Sequence, residues 1–75
     1  MTREEFLAEI DQLVDLAPGT LKGPEELDSL EEWNSTAMIG LIALADTNNR
    51  VRLSPRQIAA CSTVTDLLKL AGVEA

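Results

Sequence analysis

Apolar residues recur along this chain in four separate stretches, and their spacing predicts four helices. Phe6, Ile10, Leu13 and Val14 follow at helical intervals, with Leu7 on the flank of the stripe. Thr2 with Glu5 three residues later is the capping-box pattern that opens such a helix, and Pro18-Gly19 ends it. A second helix is predicted from about Ser35 to about Thr47, capped by Asn34 or Ser35. Its apolar stripe is read as Met38, Ile39, Leu41, Ile42 and Ala45, and Asn48-Asn49 suits a left-handed turn at its end. A short extended piece, Val51-Arg52-Leu53, leads to Ser54-Pro55 with Gln57, which opens a short third helix to about Ala60. Thr63 with Asp66 opens a fourth, which buries Val64, Leu67, Leu68 and Ala71 and stops at Gly72. The expected core has Phe6, Ile10, Leu13, Met38, Ile42, Val64, Leu67 and Leu68 facing one another.

Residues 18–33 read as a long loop, punctuated by Gly19, Gly23 and Pro24. Leu21, Leu27, Leu30 and Trp33 give it apolar anchors, so it is expected to lie against the domain. The sum is an all-α chain: a small four-helix bundle of three longer helices and one short one, with a long first loop, in one domain over residues 1–75.

Composition removes most small-enzyme chemistry. With one cysteine, Cys61, no disulfide forms within the chain, and with no histidine there is no Cys/His zinc site of the usual kind, no Ser-His-Asp triad and no histidine base. A hydrophobic content of 45% suffices for a core and is too high for a disordered acidic tail. The net charge of −7 argues against binding a nucleic-acid backbone and against electrostatic docking to anionic lipid. The charge is uneven. Residues 1–32 hold ten acids and two bases, whereas residues 33–75 hold three acids and four bases. No apolar run approaches the roughly eighteen residues of a membrane span, and the charged start Met1-Thr2-Arg3-Glu4-Glu5 lacks the apolar run of a signal peptide. A cytoplasmic location is expected.

The chemistry-bearing segment is Trp33-Asn34-Ser35-Thr36, a serine at a helix start, where unpaired N–H groups and the positive dipole end favour an attached anion. Taken alone, Asn and Ser there are ordinary caps. From Trp33 to Leu44 the chain resembles the Trp-Asp-Ser-Leu segment and following helix of acyl carrier proteins. Val51-Arg52-Leu53-Ser54-Pro55 resembles that family's link into its third helix. Ser62-Thr63-Val64-Thr65-Asp66-Leu67-Leu68 resembles its Thr-Val-x-Asp-Leu opening of the last helix. The likeness needs no gap from Trp33 to Gly72 and extends more loosely to the first helix.

The resemblance implies an acyl-carrier-protein-like fold and a monomeric, stand-alone carrier that is not an enzyme and binds no metal of its own. Ser35 would be the attachment point of a covalent 4′-phosphopantetheine arm, delivered from coenzyme A by a phosphopantetheinyl transferase with magnesium. The arm's thiol would carry an acyl or aminoacyl cargo as a thioester. Partners would be that transferase, a loading enzyme and downstream biosynthetic enzymes, with recognition by Trp33, Asn34, Thr36, Ala37, Met38 and Gly40. The family's usual Asp before the serine is Asn34 here, and its usual Leu after it is Thr36. The first change removes a charge near the transferase's magnesium, and the second fills an apolar partner pocket less well. On the second helix Ala37, Gly40 and Thr47 are read as exposed and only Asp46 is acidic, a nearly neutral face that points away from the fatty-acid housekeeping enzymes.

Asp28-Ser29-Leu30 spells the family's tripeptide literally, but no helical stripe follows it. Thr63 lies 34 residues beyond Ser29 and 28 beyond Ser35, and the shorter spacing matches the family. Asp46 to Arg50 resembles the start of a calcium loop, yet Val51 stands where glycine is needed and Gln57 where a bidentate Glu belongs. Arg50, Arg52 and Arg56 either complement the negative end of the second helix or meet an anionic partner or cargo. Cys61 reads as a buried small apolar residue and the acids of residues 4–32 as a solvated face. Two rivals to a modified carrier stay open: an unmodified carrier fold used as an interaction module, and an unrelated small helical interaction domain.

Overall fold

Each helix starts where a side chain can satisfy the backbone N–H groups that its first turn leaves unpaired. In the computed structural model, which describes residues 2–73, α1 runs Arg3–Leu13, α2 Ser35–Asn49, α3 Pro55–Ala59 and α4 Val64–Leu70. Thr2 with Glu5, Ser54 with Gln57 and Thr63 with Asp66 all form reciprocal capping boxes. The chain is therefore an all-α bundle of four helices with a long loop between α1 and α2, and no described helix is long and apolar enough to cross a membrane. Residues 1, 74 and 75, which the one-domain reading over 1–75 includes, lie outside the described residues.

The first helix ends earlier than Pro18-Gly19 suggests. Leu16 N–H bonds to Asp11 C=O at 2.8 Å and Asp15 N–H to Gln12 C=O at 3.2 Å, with Asp15 at φ 60°. That is a Schellman closure with aspartate in the left-handed position glycine usually takes. At the far end of α2 the left-handed residue is Arg50, at φ 55°, and Asn48 and Asn49 belong to the helix. Asn49 Nδ2 instead donates to Ala71 C=O at 3.1 Å, which ties the end of α2 to the end of α4.

The loop is sewn down along α4. Val64 N–H donates to Glu25 C=O (3.0 Å) and Thr65 N–H to Gly23 C=O (2.8 Å), so loop carbonyls satisfy two first-turn donors of α4. Leu27 N–H returns a bond to Ser62 C=O at 2.9 Å. Gly23 is buried at φ 125°, and a Cβ there would meet Thr65 Oγ1 at 2.9 Å, so no other residue fits. Leu21 and Leu27 are buried, and Leu30 and Trp33 pack against the core, as loop anchors should.

Asp11 departs from the solvated-acid expectation. It is 0% exposed, and its carboxylate accepts from Gly19 N–H (Oδ2, 3.0 Å) and Leu21 N–H (Oδ1, 2.9 Å). One buried side chain thus fastens the loop's first turn to α1. Asp11→Asn keeps one acceptor oxygen and strands the other donor, so it should cost about 1–3 kcal/mol. Limited proteolysis around Ala17–Thr20 should then accelerate; unchanged melting and cleavage would show that the turn holds without it.

Three other acids serve the backbone. The Thr2 backbone N–H, then its hydroxyl, hold the Glu5 carboxyl below its ordinary 4.5. Burial pushes Glu25 up, but N–H bonds from Lys22 and Gly23 outweigh it and leave the group below 4.5. The Ser62 and Thr63 N–H groups hold Asp66 below its ordinary 3.8. All three bind a proton less tightly in the folded chain than in the unfolded one. Their stabilisation is therefore full above the ordinary carboxylate range and disappears as pH falls through it. The melting temperature should fall as pH drops below about 4.5 and should fall less steeply in Asp66→Asn. A variant profile parallel to the wild type would contradict the role given to Asp66.

The core contains Phe6, Ile10, Val64, Leu67 and Leu68 as expected, and also Val14, Leu41, Ala45 and Ile58. Leu13, Met38 and Ile42 are only partly buried and pack against it.

Candidate functional site

Trp33 is half-buried against the core, which fixes the entry of the chain into α2. Asn34 follows in an extended conformation, and its Oδ1 accepts from Ala37 N–H at 3.1 Å. Asn34 is therefore the cap, and Ser35 is the first helical residue. Ser35 is exposed, and among the described residues its hydroxyl takes part in no hydrogen bond. The side chain stands free at the positive end of a 15-residue helix, where a phosphodiester would meet a favourable field. Thr36, beside it, is exposed as well.

Ser29 has a different setting. It ends a 3-10 turn, Leu27–Ser29, and its Oγ donates to Glu26 C=O at 2.6 Å. Its hydroxyl is engaged locally, and no helix begins there.

No family model, no curated protein and no solved structure matches this chain.

The exposed flank of α2 differs from the one read in the sequence. Ala37 is 2% exposed. Gly40 is half-buried, and a Cβ on it would come within 2.5 Å of Leu13 Cδ2. Both small residues face inward, and Gly40 lets Leu13 of α1 approach, so neither belongs to an outer face, and Met38 packs partly against the core. Ile39, assigned to the buried stripe, is instead 66% exposed. Thr47 and Asp46 are exposed. A run without a charge from Ala37 to Ala45 carries no polar mark of its inward side.

Ile39, Ile42, Ala43, Asp46, Arg52 and Leu53 line a groove of about 310 Å³ between α2 and the segment leading to α3. A second groove, about 430 Å³, lies between the end of α1 and the loop, where Asp15, Glu31 and Glu32 rim Val14, Leu16 and Leu30. Cys61 is half-buried, not fully enclosed. Burial, with a smaller contribution from Asp66, pushes its thiol up from 9.0, away from thiolate chemistry.

Proposed function

We propose that this chain is an acyl, or aminoacyl, carrier protein of a specialised biosynthetic pathway in the cytoplasm, with 4′-phosphopantetheine attached at Ser35. One observation carries the reading: Asn34 takes over the capping of α2, which leaves the Ser35 hydroxyl exposed and, among the described residues, unengaged at the helix start. The all-helical bundle with its long first loop, and the resemblance from Trp33 to Gly72, support it.

In the modification a bond forms between Ser35 Oγ and a phosphorus of coenzyme A, and the nucleotide portion leaves with the broken pyrophosphate bond. The positive end of α2 favours the resulting phosphodiester anion. The arm supplies a thiol on which cargo is held as a thioester. The chain itself provides a fixed anchor, a surface for the transferase, loading enzyme and downstream enzymes, and no catalytic group.

The test is the intact mass after incubation with coenzyme A, magnesium and a broad-specificity transferase, where gain of the arm is expected. Asn34 lacks the charge that a carboxylate would bring to the metal side of that interface. The wild type should therefore be modified slowly. Asn34→Asp should speed the reaction, and Thr36→Leu should add to the gain, though two neighbours at one interface need not act additively. The fold should be indifferent, because Asp and Asn cap almost equally. A double variant that stays unmodified would overturn the reading in favour of an unmodified carrier fold used for protein interaction.

A further inference from the structure

Three successive residues of the long loop are held by three different parts of the molecule. Leu21 N–H donates to Asp11 Oδ1, late in α1, at 2.9 Å. Lys22 C=O accepts from Arg3 Nη2, at the start of α1, at 2.8 Å. Gly23 C=O accepts from both the N–H and the hydroxyl of Thr65 on α4, each at 2.8 Å. Ties on either side extend the run. Gly19 N–H reaches Asp11 Oδ2 at 3.0 Å, Glu25 C=O accepts from Val64 N–H at 3.0 Å, and Leu27 N–H donates to Ser62 C=O at 2.9 Å. The Glu25 carboxylate closes on the N–H groups of Lys22 and Gly23, at 2.9 and 2.8 Å, which makes 22–25 a turn of its own. The large apolar side chains that anchor this segment are Leu21 and Leu27, whereas Gly19, Thr20, Lys22, Pro24 and Glu26 are exposed.

We propose that residues 19–27 form a strap that opens as one unit, letting go of Asp11 and of the first turn of α4 together while α1, α2 and the rest of α4 stay folded. The strap has no helical ladder of its own and two buried leucines, against the continuous apolar faces of the helices, so it opens at a lower free energy than they do. It opens as a unit because its ties are too close together to break singly. Neighbouring Cα atoms are fixed about 3.8 Å apart, and Glu25 closes 22–25 into one turn. Gly23 therefore cannot leave Thr65 without drawing Lys22 and Leu21 off α1. Asp11 and Thr65, on different helices, are thereby coupled, and the coupling is reciprocal. Opening uncovers the α1 side chains beneath Leu21, where a notch of about 280 Å³ lined by Arg3, Leu7 and Leu21 already marks the edge of the strap. The interior becomes accessible there without unfolding of the bundle.

The test is native-state hydrogen exchange of the isotope-labelled chain, followed amide by amide where the rate reports the opening equilibrium. Gly19, Leu21, Leu27, Val64 and Thr65 should share one opening free energy and one denaturant dependence. Their opening should exceed that of Ile10 and Leu41, inside α1 and α2, by about tenfold or more. Asp11→Asn should raise the opening of Val64 and Thr65 by the same factor as that of Leu21, about tenfold. Thr65→Val keeps the side-chain shape and removes one of the two bonds to Gly23 C=O. It should raise the opening of Gly19 and Leu21 by about fivefold, and it decides the matter alone if Asp11→Asn does not fold. A response confined to the substituted end, Leu21 without Val64 and Thr65 or the converse, shows independent anchors and overturns the proposal. So does exchange of the strap amides no faster than that of Ile10 and Leu41, which means that the strap opens only when the whole chain unfolds.

Discussion

If the chain carries the proposed arm, Ser35→Ala should abolish arm attachment and thioester loading and Ser29→Ala should leave both intact, the largest effect expected of any single change. The two serines sit in superficially similar sequence, but Ser35 stands at the start of a long helix with a hydroxyl that, among the described residues, makes no hydrogen bond. Ser29 Oγ is committed to the Glu26 carbonyl at 2.6 Å within a 3-10 turn. The stability consequence differs from the one a Ser35 cap would have. Asn34 accepts from Ala37 N–H, so Ser35→Ala should stay within about 0.5 kcal/mol of the wild type. Asn34→Ala should cost ~0.5–2 kcal/mol instead. The measurement is the mass and peptide map of each variant after the transferase reaction, together with its melting temperature. An arm found on Ser29, or retained by Ser35→Ala, would sink the assignment.

The largest stability effect is expected from Leu41→Ala. Leu41 is 0% exposed at the centre of α2, and emptying such a site costs about 2–5 kcal/mol through lost burial and the cavity left behind. Native domains are stable by only ~5–15 kcal/mol, and small ones sit at the low end. The variant should therefore be partly unfolded or melt at least about 10 °C lower. Ile42→Ala should cost less, because Ile42 is only partly buried and lines the outer groove. Denaturant unfolding of both variants checks the order. If Ile42→Ala proves the more damaging, Ile42 and not Leu41 carries the packing of α2 on the core.

Local chemistry was legible from the residues alone. The three capping boxes, a polar cap of α2 at Asn34 or Ser35, of which the structure uses Asn34, and the closing role of Gly72 at φ 80° each depend on groups within a few positions of one another. Hydrogen-bonding reach along the chain is short, so residue type and spacing suffice to determine them. The leucine anchors of the loop were equally plain, because an apolar residue among polar ones has only the core to enter. The all-helical class followed from the same signals.

Leu41 and Ala45 of the expected α2 stripe are buried, but that Ala37 and Gly40 share their face and Ile39 does not was decided only by the tertiary structure. The run from Ala37 to Ala45 is uncharged, so hydrophobicity names no inner face. Shape named it: Gly40 is small enough to admit Leu13 of α1, Ala37 is buried on the same helix, and the rotation that brings them inward turns Ile39 out. The same holds for Asp11. Its place on the apolar flank of α1, between Ile10 and Val14 and just before a Pro-Gly turn, was the available signal. Yet a carboxylate is buried only if donors converge on it, and those donors, Gly19 and Leu21, arrive from a loop whose path α4 helps to set. Arg50, Arg52 and Arg56 are legible as a cluster in the sequence, but the meeting of Arg52 with Ile39 and Leu53 in one groove required α2 and the connection into α3 to be packed together. Spacing along the chain determines contacts within a helical turn; contacts between elements depend on side-chain volumes that must fit simultaneously, and a one-dimensional pattern does not contain that fit.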